Sequence, residues 1–308
     1  MGRRTADRKI PQMDIKAVIR TTRQEFSATN WRAEPQVIVD DALHWDASDL
    51  WSAPYLEEKA GYRKVRIRAK ECTPATSSNS DTGSQILLSR YLEWVLDASI
   101  DLQDICRGCT NPAGIAKAVA KSGMGASYYL DTSLPELSPK LAAQAPAPGW
   151  YANKPLRTSL WCGVLGTSCG THADTLPNCN AQVMGSKHFL LFPPSEGRSL
   201  YRMRGSTHCR FDPLLPDFER FPLARNARGL ECTLKPGESL YIPAGWYHQV
   251  TVVSAWALSV NFFWPRLFFQ TLGTPSLWEP LALTQMSEFR RAFTALLPVR
   301  EKKARLQE

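Results

Sequence analysis

The sequence predicts a mainly β protein, either a sandwich or a closed barrel, with helices flanking it. Short apolar stretches separated by turn residues follow one another between residues 159 and 264, which is typical of these two architectures. Stretches with apolar residues at helical spacing lie before and after this region. A chain of 308 residues can bury a large core, and barrels with helical additions reach this length in one domain.

The composition is that of an ordinary globular protein. Hydrophobic residues make up 44% and charged residues 21% of the chain, which is close to the average for folded domains. The net charge of +8 fits a polyanionic partner only weakly, because charged clusters usually form solvated surfaces. No apolar run is long enough to cross a bilayer and no secretory signal is visible, so we expect an intracellular protein, cytoplasmic, nuclear or both, without a membrane partner.

The eight cysteines are expected to be free thiols, because an intracellular chain of this length does not depend on a disulfide framework. Cys106 and Cys109 form a Cys-x-x-Cys pair. A zinc site would need two further ligands nearby, and the sequence does not identify them. We therefore assign this pair no metal and no role.

The chain before the barrel is predicted to be a flexible basic tail at residues 1–12 and an N-terminal α/β extension at residues 13–124. Local patterns within the extension predict a helix from Ile15 to Phe26, a strand at 36–39, a half-exposed basic strand at 62–68, a flexible loop at 77–84 and a helix at 87–96. In the last of these, Leu88, Tyr91, Leu92 and Val95 share one helical face.

Residues 125–265 are predicted to form the barrel. Its strands are expected at 128–130, 159–165, 168–174, 180–185, 188–192, 231–235, 239–242, 248–253 and 257–264. Residues 135–150 are rich in Pro and Ala and are expected to form a connection that leads into the barrel. The insertion at 195–229 has little periodicity, and loops of this length are usually functional or disordered, so it is our candidate for a cover on the substrate side. His208 in the insertion, like His44 and His188, has no spaced partner and is expected to be a surface histidine.

A pair of candidate metal ligands lies on one predicted strand. His172 and Asp174 are two residues apart, so in an extended chain they project from the same face, about 7 Å apart. His248 follows a later strand and is the plausible third ligand. Two imidazoles and one carboxylate leave coordination positions open, an arrangement that suits non-haem Fe(II) oxygenases. Lys187 shares a strand face with apolar residues, and a buried ammonium needs an anionic partner, for example a dicarboxylate.

The order and spacing of these residues resemble those of one known family, the JmjC-type, cupin-fold Fe(II)/2-oxoglutarate oxygenases, and in particular its small hydroxylases. The matching pieces are Tyr128–Leu130, His172–Asp174 with Asn178, Gly185–Lys187, Leu190–Pro194, Asp217–Pro222, Pro236–Pro243, Trp246–His248 and Val260–Trp264. The resemblance implies a double-stranded β-helix (jelly-roll, cupin) barrel with N-terminal α/β additions and C-terminal helices. Two branches look similar, the tRNA wybutosine-synthesising hydroxylase and, next to it, the asparaginyl hydroxylase of the hypoxia factor.

The resemblance also implies roles for individual residues. His172, Asp174 and His248 would hold Fe(II), and Lys187 would bind the distal carboxylate of the cosubstrate 2-oxoglutarate, with dioxygen as the other reactant. Tyr129, Asn178 and Asn261 would line the cosubstrate or support the iron. Relatives carry a hydroxyl residue that contacts the cosubstrate three positions before the first metal histidine, where this chain has Cys169. A thiol is a poorer hydrogen-bond donor, and Tyr129 and Thr171 would compensate as further contacts of the cosubstrate.

Three hypotheses for the function follow. The preferred one is a hydroxylase acting on a wybutosine-type base of tRNA. The first alternative keeps the chemistry and changes the substrate to a protein side chain. The second is a non-catalytic, metal-binding cupin that acts as a binding module. The segment 266–308 has apolar residues at helical spacing at positions 286, 289, 293, 296 and 297, and the family precedent favours a homodimer through C-terminal helices.

Overall fold

The structure is a computed structural model that describes residues 13–26, 34–69, 84–122, 128–151 and 153–265. The predicted tail at 1–12, the loop at 77–83 and the C-terminal helical segment 266–308 lie outside these residues. Within the described part, none of the helices has the length and apolar character needed to cross a membrane.

The described residues form many strands and a few helices, most of them short. The strands in chain order are β1 Asp14–Ala17, β2 Ile19–Thr21, β3 Gln36–Ile38, β4 Lys64–Ala69, β5 Ser84–Leu87, β6 Tyr128–Ser133, β7 Arg157–Val164, β8 His172–Ala173, β9 Asn178–Met184, β10 Lys187–Phe192, β11 Arg228–Leu234, β12 Ser239–Ile242, β13 Tyr247–Val252 and β14 Trp256–Phe263. The helices are α1 Asp46–Leu50, α2 Ala53–Ala60, α3 Leu88–Ile105, α4 Pro112–Ser122, α5 Leu134–Leu137 and α6 Pro139–Gln144.

Two sheets make the barrel. The larger has the order β2-β3-β12-β9-β14-β7-β6-β4-β5, and the smaller has the order β1-β11-β10-β13-β8. From β8 to β14 the chain crosses repeatedly between the two sheets, which is the winding of a double-stranded β-helix. The predicted cupin barrel is therefore confirmed, and β4 to β6 extend its larger sheet with strands from the N-terminal part.

Alternation along the strands separates a helix-packed face of the larger sheet from a polar inner face. In β14, Leu258, Val260 and Phe262 belong to the main hydrophobic core, whereas Ser259 and Asn261 occupy the alternate positions and are also buried. Because side chains of neighbouring strands align across a sheet, Ser259 lies opposite Gln182 of β9 and Trp161 of β7. The interior of the barrel is therefore lined with hydrogen-bonding groups.

Helix α3 covers the outer face of the larger sheet. Its predicted apolar stripe is confirmed, since Leu88, Tyr91, Leu92 and Val95 are all buried. The Tyr91 hydroxyl donates to the carbonyl of Cys162 at 2.8 Å and accepts from the backbone N–H of Leu130 at 3.2 Å. This hydroxyl therefore fastens α3 to β6 and β7, the strands that carry Tyr129 and Trp161.

The predicted helix from Ile15 to Phe26 is wrong. This segment forms β1, which pairs in parallel with β11, and β2, which pairs in parallel with β3. Val18, between the two strands, is buried at 4% exposure and its neighbour Ile19 is 62% exposed. The segment adds an edge strand to each sheet, and pairing with strands that are remote in sequence overrides the local helical spacing.

Two predicted loops are more ordered than their sequences suggested. The connection at 135–150 contains α5 and α6. The insertion at 195–229 contains two short 3-10 turns, and its Phe211, Leu214 and Phe221 pack against Phe192 and Tyr247 on the outer face of the smaller sheet. The insertion is thus fixed to the barrel by its own small core.

Candidate metal centre

The candidate metal centre lies where β8 meets β13. His172 and His248 are direct partners in this antiparallel pair, and their ring centroids are 4.4 Å apart. Asp174 follows β8, and its carbonyl accepts the backbone N–H of Gly245 at 2.9 Å. One ligand atom from each of His172, Asp174 and His248 can be chosen so that all three lie within 4.8 Å of one another.

Hydrogen bonds orient all three groups toward a common point. The Nδ1 atoms of His172 and His248 lie 2.8 Å and 3.1 Å from the carbonyl oxygens of Gly170 and Trp246. Each Nδ1–H therefore donates to backbone and leaves Nε2 as the ligand atom, as metal-binding histidines require. The Asn178 amide donates to Asp174 Oδ2 at 2.6 Å, which holds the carboxylate in place.

The electrostatics of the three groups favour a cation. Burial, and then the charge of His172, lower the pKa of His248 to about 4, so His248 is neutral near pH 7. For His172, burial acts in the opposite direction to the Cys169 thiol and the Asp174 carboxylate, which together raise its pKa to about 10. A divalent metal would take the place of this proton, because imidazole binds metals in its neutral form.

Lys187 is buried on the inner face of β10, on the same side of the strand as Phe189 and Leu191. Its ammonium donates to Ser259 Oγ at 2.5 Å, and Ser259 Oγ in turn donates to Asn261 Oδ1 at 3.3 Å. Burial lowers the pKa of Lys187 to about 8, although the Cys162 and Cys169 thiols act in the opposite direction. Among the described residues no carboxylate forms an ion pair with it, so its charge is available to an anionic ligand.

The other residues predicted to bind the cosubstrate occupy different positions around this interior. Tyr129 stacks on Trp161 with ring centroids 5.4 Å apart and an interplanar angle of 10°. Cys169 Sγ lies 3.9 Å from the Val250 carbonyl and also contacts His172. Thr171 is buried next to His172 in the chain.

Several buried polar atoms around the centre lack a hydrogen-bond partner. They include Trp161 Nε1, Thr171 Oγ1, Asn178 Oδ1 and Asn180 Oδ1. An unpaired buried polar atom is costly, and such atoms usually indicate water or a ligand that completes the site. Together with the triad and Lys187, they fit a divalent metal ion beside a small dicarboxylate.

His208 belongs to this region, contrary to the prediction of a surface histidine. Residues 207–209 form an isolated antiparallel bridge with β8, through the bonds Ala173 N–H to Thr207 O at 3.0 Å and Cys209 N–H to Thr171 O at 2.8 Å. His208 thereby stacks on His172 at 5.5 Å between ring centroids. Burial, followed by the charge of His172, lowers the pKa of His208 to about 4.

The spacing of residues in the sequence gave no signal for His208. Its stacking on His172 depends on how the backbone of the insertion pairs with β8, and the two segments are remote in sequence. Trp161 was also missed, although the alternation of β7 places it on the same face as Ser159. His188 is also buried, at 7% exposure, contrary to the prediction of a surface histidine. Its ring turns away from the site, and its Nε2 lies 3.2 Å from Glu231 on the outer side of the smaller sheet.

Comparison with known proteins agrees with this geometry. The cupin-like domain family matches residues 22–270. The chain is 28% identical over 254 residues to the human bifunctional peptidase and (3S)-lysyl hydroxylase JMJD7, covering 75% of this chain and 77% of that protein. It is 32% identical over 262 residues to chicken tRNA wybutosine-synthesizing protein 5, covering 84% and 80% of the two chains.

A further relative is longer than this chain. The frog (Xenopus tropicalis) lysine-specific demethylase 8 is 26% identical over 239 residues, which are 75% of this chain and 48% of the relative. The family match over most of the chain, the jelly-roll topology and the His-Asp-His cluster lead to one conclusion: the chain belongs to the cupin-like, JmjC-type family of Fe(II)/2-oxoglutarate oxygenases.

Proposed function

We propose that this chain is itself an Fe(II)- and 2-oxoglutarate-dependent hydroxylase. The observation that carries the proposal is the convergence of His172, Asp174 and His248 within 4.8 Å in the same interior as the buried ammonium of Lys187. A metal site with three protein ligands suits a chelating dicarboxylate when a cation in the same interior forms no ion pair with any described carboxylate. Bound iron and 2-oxoglutarate would supply the oxidising chemistry, in which decarboxylation to succinate and CO2 is coupled to hydroxylation of a C–H bond.

The residues of the chain have distinct tasks in this scheme. His172, Asp174 and His248 would hold the metal. Lys187, which donates to Ser259, would bind the distal carboxylate, and Tyr129 and Asn261 would line the surrounding wall. Cys169 occupies the position where relatives carry a hydroxyl residue, which would bind the same cosubstrate. His208 of the insertion stacks on His172, and the barrel buries His248 and Lys187, which would strengthen electrostatic contacts with a bound anion.

For the substrate, we propose a wybutosine-type base of tRNA. Two features support it, the match to chicken tRNA wybutosine-synthesizing protein 5 over most of both chains and the net charge of +8, which favours a polyanion. The second candidate is a protein side chain, supported by the match to the lysyl hydroxylase JMJD7. The two candidates share the metal chemistry and differ in the substrate.

An assay of succinate release tests both the proposed hydroxylase chemistry and the proposed substrate. Purified protein with Fe(II), ascorbate and 2-oxoglutarate is assayed alone, with tRNA from a strain that lacks the late wybutosine steps, and with a peptide library. We expect tRNA to stimulate succinate release and to gain one oxygen atom by mass spectrometry. If peptides stimulate succinate release and tRNA does not, a protein side chain replaces tRNA as the proposed substrate.

The non-catalytic alternative is decided in the same assay. His172→Ala should abolish succinate release, and the matched variant His44→Ala, at an exposed position outside the centre, should keep it. If the wild type binds metal but releases no succinate with any substrate, the chain is a metal-binding module rather than an enzyme. If His172→Ala remains active, the assignment of this ligand is wrong.

We further propose that the protein is intracellular, in the cytoplasm, the nucleus or both, and forms a homodimer through segment 266–308. The compartment is supported by the free thiols of the described cysteines, because disulfides are rare inside the cell, and the dimer by the helical spacing of apolar residues in that segment of the sequence. Light scattering of the full chain and of a variant with Phe289 and Phe293 changed to Ser tests the dimer, and a monomeric wild type would refute it.

A further inference from the structure

The Cys-x-x-Cys pair, which the metal site does not use, lies at the end of helix α3. Cys106 caps this helix, with its N–H donating to Leu102 O at 3.0 Å, and Cys109 stands in the connection to α4. Both thiols are free, as is every cysteine in the part of the chain that the structure describes.

The backbone holds the two cysteines in a tight turn. The Cys109 N–H donates to the Cys106 carbonyl at 2.9 Å, and Gly108 has a φ of 85°. An i to i+3 hydrogen bond with a glycine at positive φ defines a β-turn, in which the first and last Cα atoms are less than 7 Å apart. This separation reaches the range that a disulfide requires.

The two thiols differ in exposure but contact each other. Cys106 is buried at 7% exposure in the main core, and Cys109 is half-buried at its edge. Burial, followed by contact with the Cys109 thiol, raises the pKa of Cys106. An outer thiol that solvent can reach next to an inner thiol that it cannot is the arrangement of an attacking and a resolving cysteine.

Three of the other described cysteines differ from this pair. Cys162, Cys209 and Cys232 are buried, and burial raises the pKa of each to about 12. They are expected to be inert toward thiol reagents, so they serve as internal controls for the reactivity of the pair.

We propose that Cys106 and Cys109 are a reversible dithiol–disulfide site that closes by exchange with a low-molecular-weight disulfide such as oxidised glutathione. The Cys109 thiolate attacks the small disulfide and releases one thiol. Cys106 then loses its proton and attacks the mixed disulfide, forming the intramolecular S–S bond and releasing the second thiol. The protein loses two electrons and two protons, and the small disulfide gains them.

The position of the pair connects it to the metal side of the barrel. Helix α4 begins just after the turn, and its Val119 packs so closely on Gly166 that a Cβ there would lie 2.6 Å from Val119 Cγ2. Gly166 opens the segment that leads to Cys169 and His172. A disulfide at the start of α4 would therefore restrict a helix that rests on the segment carrying the first metal ligand.

Tryptic mapping tests the proposal, because Arg107 lies between the two cysteines. The full-length protein is equilibrated with oxidised and reduced glutathione at several ratios, acid-quenched, alkylated and digested. In the oxidised sample we expect peptide 91–107 joined to peptide 108–117, and we expect dithiothreitol to separate them. Cys162, Cys209 and Cys232 should be alkylated only after unfolding at every ratio.

Single substitutions test the order of the two steps. Cys106→Ser should leave Cys109 as a stable glutathione adduct, and Cys109→Ser should leave Cys106 unmodified, with the cross-linked peptide below a tenth of the wild-type amount in both. A wild-type protein that shows only a Cys109 adduct, or two alkylated thiols at every glutathione ratio, would overturn the proposal. So would stoichiometric zinc that blocks both thiols until a chelator removes it.

Discussion

At the scale of one residue, Lys187 is a buried charge that destabilises the ligand-free fold and can bind an anionic ligand. Its ammonium is buried with the Ser259 hydroxyl as its described hydrogen-bond acceptor, and a buried charge without a counter-ion destabilises the fold. We therefore expect Lys187→Met to leave the ligand-free protein as stable as the wild type or more stable, by up to about 2 kcal/mol, in thermal unfolding.

The same variant should bind 2-oxoglutarate poorly. Loss of one partner in a buried charge contact costs about 2–5 kcal/mol, so the affinity measured by calorimetry with Mn(II) should fall about 30-fold or more. Lys235→Met, at an exposed turn position, is the matched control and should leave the affinity unchanged. A Lys187→Met protein that binds 2-oxoglutarate normally would remove Lys187 from the site.

Cys169 is the second position where a single side chain sets the behaviour of the site. Its thiol contacts His172 and lies within electrostatic range of Lys187, but a thiol donates weakly to a carboxylate. We expect Cys169→Thr to lower the KM for 2-oxoglutarate several-fold, and Cys169→Val, which has no donor, to leave it unchanged or raise it. The dependence of succinate release on 2-oxoglutarate decides, and an unchanged KM in Cys169→Thr contradicts the role.

At the scale of elements, the N-terminal segment forms β1 and β2 instead of the predicted helix, and substitutions between the two strands test this arrangement. Val18 is buried and Ile19 is exposed, as expected of an extended chain in which neighbouring side chains point to opposite sides. Val18→Asp should therefore reduce the free energy of unfolding by about 3 kcal/mol, and Ile19→Asp should change it by less than about 0.5 kcal/mol. Equal effects of the two variants in urea unfolding would contradict this placement.

His188 of β10, which lies beside Glu231 of β11, should make the free energy of unfolding depend on pH. Burial lowers the pKa of His188 from 6.5, although Glu231 partly offsets this. The unfolded chain then binds a proton more readily than the folded protein, so stability is lost as the pH falls from 6.5 through the folded pKa. Urea unfolding between pH 7.5 and 5 should show this loss, and His188→Gln should reduce it more than His44→Gln; equal slopes would refute the assignment.

At the scale of the whole molecule, the sequence revealed the parts that depend on local periodicity and short spacing. Strands β7 to β14 and the face of α3 follow from alternation and from a 3.6-residue repeat, and His172 with Asp174 follows from the spacing of two on a strand. The edge strands β1 and β2 and the place of His208 depend on backbone register with remote segments. No local pattern encodes such register, so these features emerged only in the folded chain.

The central claim is that a metal ion and a dicarboxylate occupy one shared interior. The most direct test is anaerobic calorimetric titration of 2-oxoglutarate into wild-type protein with and without Mn(II), alongside Asp174→Ala. We predict tight binding only in the wild type with metal, weakened at least tenfold when the metal is omitted or Asp174 is replaced. Binding of 2-oxoglutarate that is equally tight in all three samples would contradict the account.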